Sequence, residues 1–105
     1  MKVLYLPEVE QYLYELVDLL YDIGYFSFPE QAMNYVIKMR QYIESSIETA
    51  YKRNAPDYFS RYGKNMSYFI YKANPHTSWY IFFQQKADIY LIRYITNNHV
   101  SAQYF

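Results

Sequence analysis

Cysteine is absent from the 105 residues, glycine occurs twice and proline four times. Without thiols there is no disulfide staple and no thiolate metal site. With glycine only at Gly24 and Gly63, neither a glycine-rich phosphate loop nor a dinucleotide fingerprint can be built, and no Gly-x-Ser-x-Gly elbow occurs. Long apolar runs are missing too. The longest stretch free of charge, residues 73–85, spans 13 residues and includes Asn, His, Ser and Gln, too short and too polar for a bilayer. The apolar opening after Met1 and Lys2 is broken by Pro7 and Glu8, so no secretory h-region is expected and the reading is a cytoplasmic protein without membrane association. The two histidines, His76 and His99, have no carboxylate at ligand spacing, so neither a metal nor another cofactor is expected.

What the chain does have is apolar and aromatic bulk: 52% hydrophobic and 23% aromatic residues, a composition that folds. Its length fits one domain, residues 1–105. The zero net charge conceals a division. Residues 1–50 carry eight acids against Lys2, Lys38 and Arg40, whereas residues 51–105 carry seven bases against Asp57 and Asp88. Such an asymmetry points to a basic, anion-facing surface beside an acidic one, or to a solvated surface whose signs happen to segregate.

Periodicity gives the order of elements. Lys2 to Leu6 is β-branched and aromatic enough for a short strand, which Pro7 stops. Val9, Leu13, Leu16, Val17 and Leu20 then recur at spacings of three and four, predicting a helix from about Glu8 to Ile23 that Gly24 terminates. Ser27 and Glu30 form a capping-box pattern around Pro29, and Ala32, Val36, Met39, Ile43 and Ile47 continue the stripe of a second helix ending near Ala50. The short link makes the two an antiparallel hairpin. Beyond a loop at Asn54 to Asp57, Tyr58 to Tyr62 reads as short and irregular, and Gly63 to Asn65 as a turn. Three strand-like segments follow, Met66 to Lys72, Ser78 to Gln84 and Ile89 to Thr96. In the middle one, Trp79, Ile81 and Phe83 form the better core face. In the last, both sides are apolar enough to be buried, so parity does not place Arg93. Asn98 can cap a terminal helical turn.

The expected fold is therefore α+β, with a two-helix hairpin on one face of a mainly antiparallel four-stranded sheet in the order β-α-α-β-β-β. The opposite face is expected to be open and rich in tyrosine, with basic residues around it. Nine of the sixteen tyrosines and most of the positive charge fall in this half. Tyrosine is a good strand residue whose ring packs while its hydroxyl stays wet, which accounts for most of the excess. The alternative use is stacking on splayed bases, with cations holding phosphates. For that role Tyr62, Tyr68, Tyr71 and Tyr80 would combine with Arg61, Lys64 and Lys72. A metal-free ribonuclease needs a base for the 2′-hydroxyl, an acid for the leaving 5′-oxygen and a cation for the phosphorane charge. Candidates are His99 at the end of the last strand, Tyr104 shortly after it, and Arg61 and Arg93 with Lys64 and Lys72.

The order of elements, together with Thr77-Ser78-Trp79-Tyr80-Ile81-Phe82-Phe83 and Tyr90-Leu91-Ile92-Arg93-Tyr94-Ile95-Thr96-Asn97-Asn98-His99, resembles the RelE/ParE superfamily of type II toxin-antitoxin toxins. The second stretch looks like the family's final strand running into its terminal His motif. The resemblance implies a toxin fold over nearly the whole chain, a cognate antitoxin protein as partner, and one of two activities. Some members cleave mRNA in the ribosomal A site. Others lack catalytic residues and poison DNA gyrase through protein contacts. Many ribonuclease members place an Arg where this chain has Tyr80, and often another after the terminal His, where it has Val100. The expectation is an mRNA endonuclease toxin, with gyrase inhibition and an inactive interaction module as alternatives.

Overall fold

The computed structural model describes all of residues 1–105. A first strand, β1 (Lys2–Tyr5), is followed by helices α1 (Pro7–Asp22) and α2 (Pro29–Ser46), then by β2 (Arg53–Asn54) and a 3₁₀ helix (Asp57–Tyr62). Strands β3 (Ser67–Asn74), β4 (Thr77–Lys86) and β5 (Ile89–Asn97) form a meander, closed by α3 (Asn98–Ser101) and a last 3₁₀ turn (Ala102–Tyr104). The architecture is α+β, two helices packed against a mixed sheet of five strands ordered β1-β5-β4-β3-β2. The sheet thus differs from the four strands expected. β2 is a two-residue strand pairing Arg53 with Tyr68 and Asn54 with Ser67, too short to display any period in the sequence. β1 runs parallel to β5, and the other pairs are antiparallel.

Both helices begin on proline, whose missing N–H costs nothing in the first turn. α1 ends in a Schellman motif. Gly24 takes a positive φ of 77°, the Tyr25 amide donates to the Leu20 carbonyl and the Gly24 amide to that of Tyr21. At the start of α2 the cap lies one residue later than Ser27 and Glu30 suggested. Gln31 is the side chain that turns back, accepting from the amides of Ser27 and Phe28, each at 3.2 Å. The expected stripes are buried: Val9, Leu13, Leu16 and Leu20 on α1, Ala32, Val36, Met39 and Ile43 on α2, with Ile47 just beyond it. They meet Phe69, Trp79, Ile81, Phe83, Tyr90, Ile92 and Ile95 from the sheet. The Trp79 indole N–H donates to the Tyr35 hydroxyl at 2.8 Å, so the one tryptophan brings no unpaired donor into this core.

A β-bulge explains why alternation fails on β5. Phe82 pairs with Tyr94 and Phe83 with Ile92, leaving Arg93 as the extra residue. Before it Tyr90 and Ile92 face the helices, and after it Ile95 does.

The opposite face of the sheet is not open. The 3₁₀ helix and the final residues lie over it, forming a second core in which Phe59, Met66, Tyr68 and Phe82 are buried. The Phe59 ring sits 4.4 Å from that of Phe82, and the Phe105 ring 4.2 Å from that of Tyr80. The excess of apolar groups on that face left too much surface for water to cover, and aromatic side chains from the two short segments remove it. No helix is long and apolar enough to cross a membrane.

Candidate functional site

His99 is exposed, and its backbone is fastened from both sides. Asn97, rather than Asn98, caps α3, its Oδ1 accepting from the amides of His99 at 2.9 Å and Val100 at 3.1 Å. Asn98 points the other way and pins the turn to the β3–β4 connection. Its Oδ1 accepts from the Ser78 amide at 2.9 Å, and its Nδ2 donates to the His76 carbonyl at 3.1 Å. The His99 ring meets the β4 residue Thr77, with Nε2 3.0 Å from Oγ1.

Arg61 and Arg93 come together at a cavity of about 670 Å³ between α1 and β5, where Leu6, Val9 and Tyr12 provide apolar walls. Each arginine is steered by a backbone carbonyl. Arg61 Nε donates to Tyr58 O at 2.9 Å, and Arg93 Nε to Tyr62 O at 2.8 Å. Neither forms an ion pair with a carboxylate, in contrast to Arg40, whose guanidinium lies 2.9 Å from Glu10. Two guanidinium groups with donors to spare are suited to an anion such as a phosphodiester. Glu8 is the acid on the cavity wall. Gly63 makes the Arg93 position possible. A Cβ there would lie 2.5 Å from Arg93 Nε and 2.7 Å from its Cδ, so the close approach, not backbone conformation, calls for glycine.

Around these arginines the tyrosines stack on one another. The Tyr58 and Tyr104 rings lie 3.5 Å apart and nearly parallel, with the Arg61 guanidinium 3.9 Å over the Tyr58 ring. Tyr62 and Tyr94 form a second parallel pair at 3.7 Å. The neighbouring Tyr58 hydroxyl, more than burial, holds the Tyr104 pKa above that of an ordinary phenol. In the second pair the adjacent Tyr94 hydroxyl pushes Tyr62 up to about 12. Tyr104 therefore keeps its proton at neutral pH and can give one rather than take one.

The residues singled out from the sequence do not form one cluster. Arg61, Arg93 and Tyr104 gather around the 3₁₀ helix. His99 stands at the end of β5, bonded to Thr77 and to none of these three, although its neighbour Val100 lines the arginine cavity. Lys64 is exposed in the turn after Gly63, its carbonyl accepting from Gln84 Nε2 at 2.7 Å. Lys72 is exposed on β3, opposite Ser78. Tyr68 is buried in the second core, and Tyr80, its pKa raised by burial, is partly covered by Phe105. Tyr71 does not share their face. It lies on the helix side, its ring 4.8 Å from that of Tyr42. Sequence reasoning missed Tyr58, Tyr94, Thr77 and the role of Gly63. Two signals were available: the three-residue spacing of Tyr58 and Arg61, and the rarity of glycine.

No group of histidines and carboxylates is arranged to hold a metal. Comparison with protein families, characterised proteins and solved structures finds no match to this chain.

Proposed function

We propose that this chain is the toxin of a type II toxin-antitoxin pair, a cytoplasmic RelE/ParE-like protein that cuts mRNA on the ribosome without a metal. The observation that carries the reading is an exposed, backbone-anchored His99 whose neighbour Val100 lines a cavity with two arginines, neither of them in an ion pair with a carboxylate. The succession of strand, helical hairpin and sheet, and the resemblance of residues 90–99 to the family's final strand, support it further. In the reaction the RNA 2′-oxygen loses its proton and attacks the neighbouring phosphorus. The P–O5′ bond breaks, the 5′-oxygen gains a proton, and a 2′,3′-cyclic phosphate is left. His99 exchanges one of these protons and Tyr104 supplies the other, while Arg61 takes the charge that builds on phosphorus. Arg93, whose Nη1 lies 3.5 Å from Gln84 Oε1, seven residues along β4 from the His99 partner Thr77, holds a flanking phosphate. Lys64 and Lys72 hold flanking phosphates, and of Tyr80, Tyr68 and Tyr71 the stacking candidate is Tyr80, half-buried on the sheet face opposite the helices, since Tyr68 is buried there and Tyr71 lies on the helix side. The antitoxin occupies the groove between α1 and β5 and so covers Arg61 and Arg93.

A second reading, inhibition of DNA gyrase by protein contact, is favoured by Tyr80 and Val100 where nuclease members carry arginine, and by the zero net charge. The third, an inactive interaction module of the same fold, predicts no effect on growth. Inducing the chain alone in cells and following labelled amino-acid and thymidine incorporation separates them. Early loss of protein synthesis that His99→Ala relieves supports mRNA cleavage. Early loss of DNA synthesis with translation intact supports gyrase, and unimpaired growth at good expression removes both.

A further inference from the structure

The side of α1 that carries Glu8, Tyr12 and Leu19 faces the arginine cavity. Its other side meets α2 along a seam that is apolar and that no part of the chain covers. On α1, Glu10, Tyr14, Val17 and Tyr21 recur at spacings of four, three and four, and on α2, Met33, Ile37, Arg40 and Glu44 do the same. That spacing sets each group on one stripe, about a right angle around its helix from the buried stripe. The two stripes face each other across the hairpin, because the Arg40 guanidinium lies 2.9 Å from Glu10 and a short link turns the second helix back beside the first. Counting on from that ion pair, Tyr14 comes opposite Ile37, and Tyr21 follows beyond Met33. Tyr14 is 73% exposed, Met33 52%, Tyr21 43% and Ile37 42%. Large apolar groups exposed side by side form a patch, unlike the single ones scattered over any soluble surface.

The charge that flanks the seam is of one sign. Asp18 and Asp22 on α1 and Glu30 on α2 are exposed and in no ion pair, whereas the one base within the stripes, Arg40, is taken by Glu10. Lys38 lies on the far side of α2, where it borders a cavity with Tyr35 and Tyr71. A second copy seated seam to seam would set these acids against their own counterparts, so charge selects a basic occupant. We propose that the seam is the docking groove for an amphipathic helix of a partner protein, with apolar residues at spacings of three and four on one face and lysine or arginine on both flanks. The apolar face fills the furrow between Tyr14, Tyr21, Met33 and Ile37, and the bases reach Asp18, Asp22 and Glu30. This surface is separate from the groove between α1 and β5, and it does not depend on the toxin reading.

The test pairs the ¹⁵N-labelled full chain with two synthetic helical peptides that share one leucine stripe, the first with lysine on its flanks and the second with glutamate at the same positions. The lysine peptide should shift the amide signals of the seam, those of Tyr14 and Ile37 among them, and bind about 10-fold more tightly than the glutamate peptide. Tyr14→Ser and Ile37→Ser, at exposed positions that leave the core intact, should each weaken it about 10-fold. Asp18→Lys combined with Asp22→Lys should abolish the advantage of the lysine peptide. The proposal is overturned if the lysine peptide does not bind, if both peptides bind equally well, or if the shifts centre on the groove between α1 and β5. A dimer in sedimentation that Ile37→Ser dissolves would assign the seam to a second copy, and binding to phosphatidylcholine vesicles that Ile37→Ser abolishes would assign it to a lipid surface. Either result overturns the proposal as well.

Discussion

On one face of the sheet two regular helices supply eight buried side chains, each spaced by the helical period, and the contacts are aliphatic against β-branched and aromatic. On the other, one short 3₁₀ helix and the last residues of the chain cover a much smaller core, and nearly every contact is ring against ring. The difference shows two ways of excluding water. Helices close a wide surface by repetition, with backbone groups satisfied internally. Short irregular segments cannot repeat, so each residue they bring must cover much area, and aromatic side chains do this at little cost in side-chain entropy. The candidate chemistry lies with the second kind, where Arg61, Arg93 and Tyr104 are held by the same segments that form the cover.

Neighbouring residues on β4 offer the sharpest test of whether the second face is a true core. Ile81 and Phe82 are both fully buried but point to opposite faces. Phe82→Ala should destabilise the protein by about 3–5 kcal/mol in urea unfolding, at least as much as Ile81→Ala at about 2–5 kcal/mol. A loss for Phe82→Ala well below 1 kcal/mol would mean that the aromatic face is an open platform after all.

Alkaline pH probes the helix side. Burial pushes the Tyr12 pKa up to about 12, from an ordinary phenol value of 10.0. An unfolded Tyr12 releases its proton near pH 10 and the folded one does not. The stability it contributes is therefore whole below about pH 10 and is lost as pH rises through about 12, about 2–3 kcal/mol at about 1.4 kcal/mol per unit. Tyr12→Phe should flatten this alkaline limb in pH-dependent unfolding.

At the junction of the second core and the arginines, Gly63→Ala should cost about 1–3 kcal/mol, because the added Cβ meets Arg93 along its shaft, where the Tyr62 carbonyl holds it. If Arg93 holds substrate phosphate, the same variant should weaken RNA cleavage beyond what its stability explains. A variant as stable and active as wild type would show that Arg93 swings aside freely.

The smallest effect belongs to the helix surface. Arg40→Ala removes the pair with Glu10 and a cation–π contact with Tyr5, both partly exposed, and should cost about 0.2–1 kcal/mol in thermal or chemical unfolding. It would also weaken further in salt.

The helix-side core was legible in the sequence because its signal is periodic. Val9 to Leu20 and Ala32 to Ile47 repeat at helical spacing, and Trp79, Ile81 and Phe83 alternate as a strand does. The features that escaped are aperiodic. The bulge at Arg93 resets alternation in mid-strand, β2 is two residues long, and the second core is assembled from segments far apart in the chain. The same division runs through the site. His99 could be picked out as the lone histidine following the last strand, and the structure leaves it exposed. Its contact with Thr77 lies 22 residues away and depends on the pairing of β4 with β5, which no local pattern encodes. Tyr68 and Tyr71, three positions apart on one strand, take opposite faces, so nearness in sequence to Lys64 and Lys72 does not place both on one surface.

The parallel pairing of β1 with β5 has a consequence for the order in which the chain folds. The β3–β4–β5 meander and the helical hairpin close through contacts local in sequence, but Lys2 must find Ile89, and Tyr5 must find Ile92. Loop-closure entropy rises with the length enclosed, so this pairing is the slowest to be rewarded. During synthesis β1 has no partner until nearly the whole domain has left the ribosome. Until then β1 waits unpaired, and when β5 emerges its edge from Ile89 to Ile92 is a strand-shaped slot that the chain's own first residues fill.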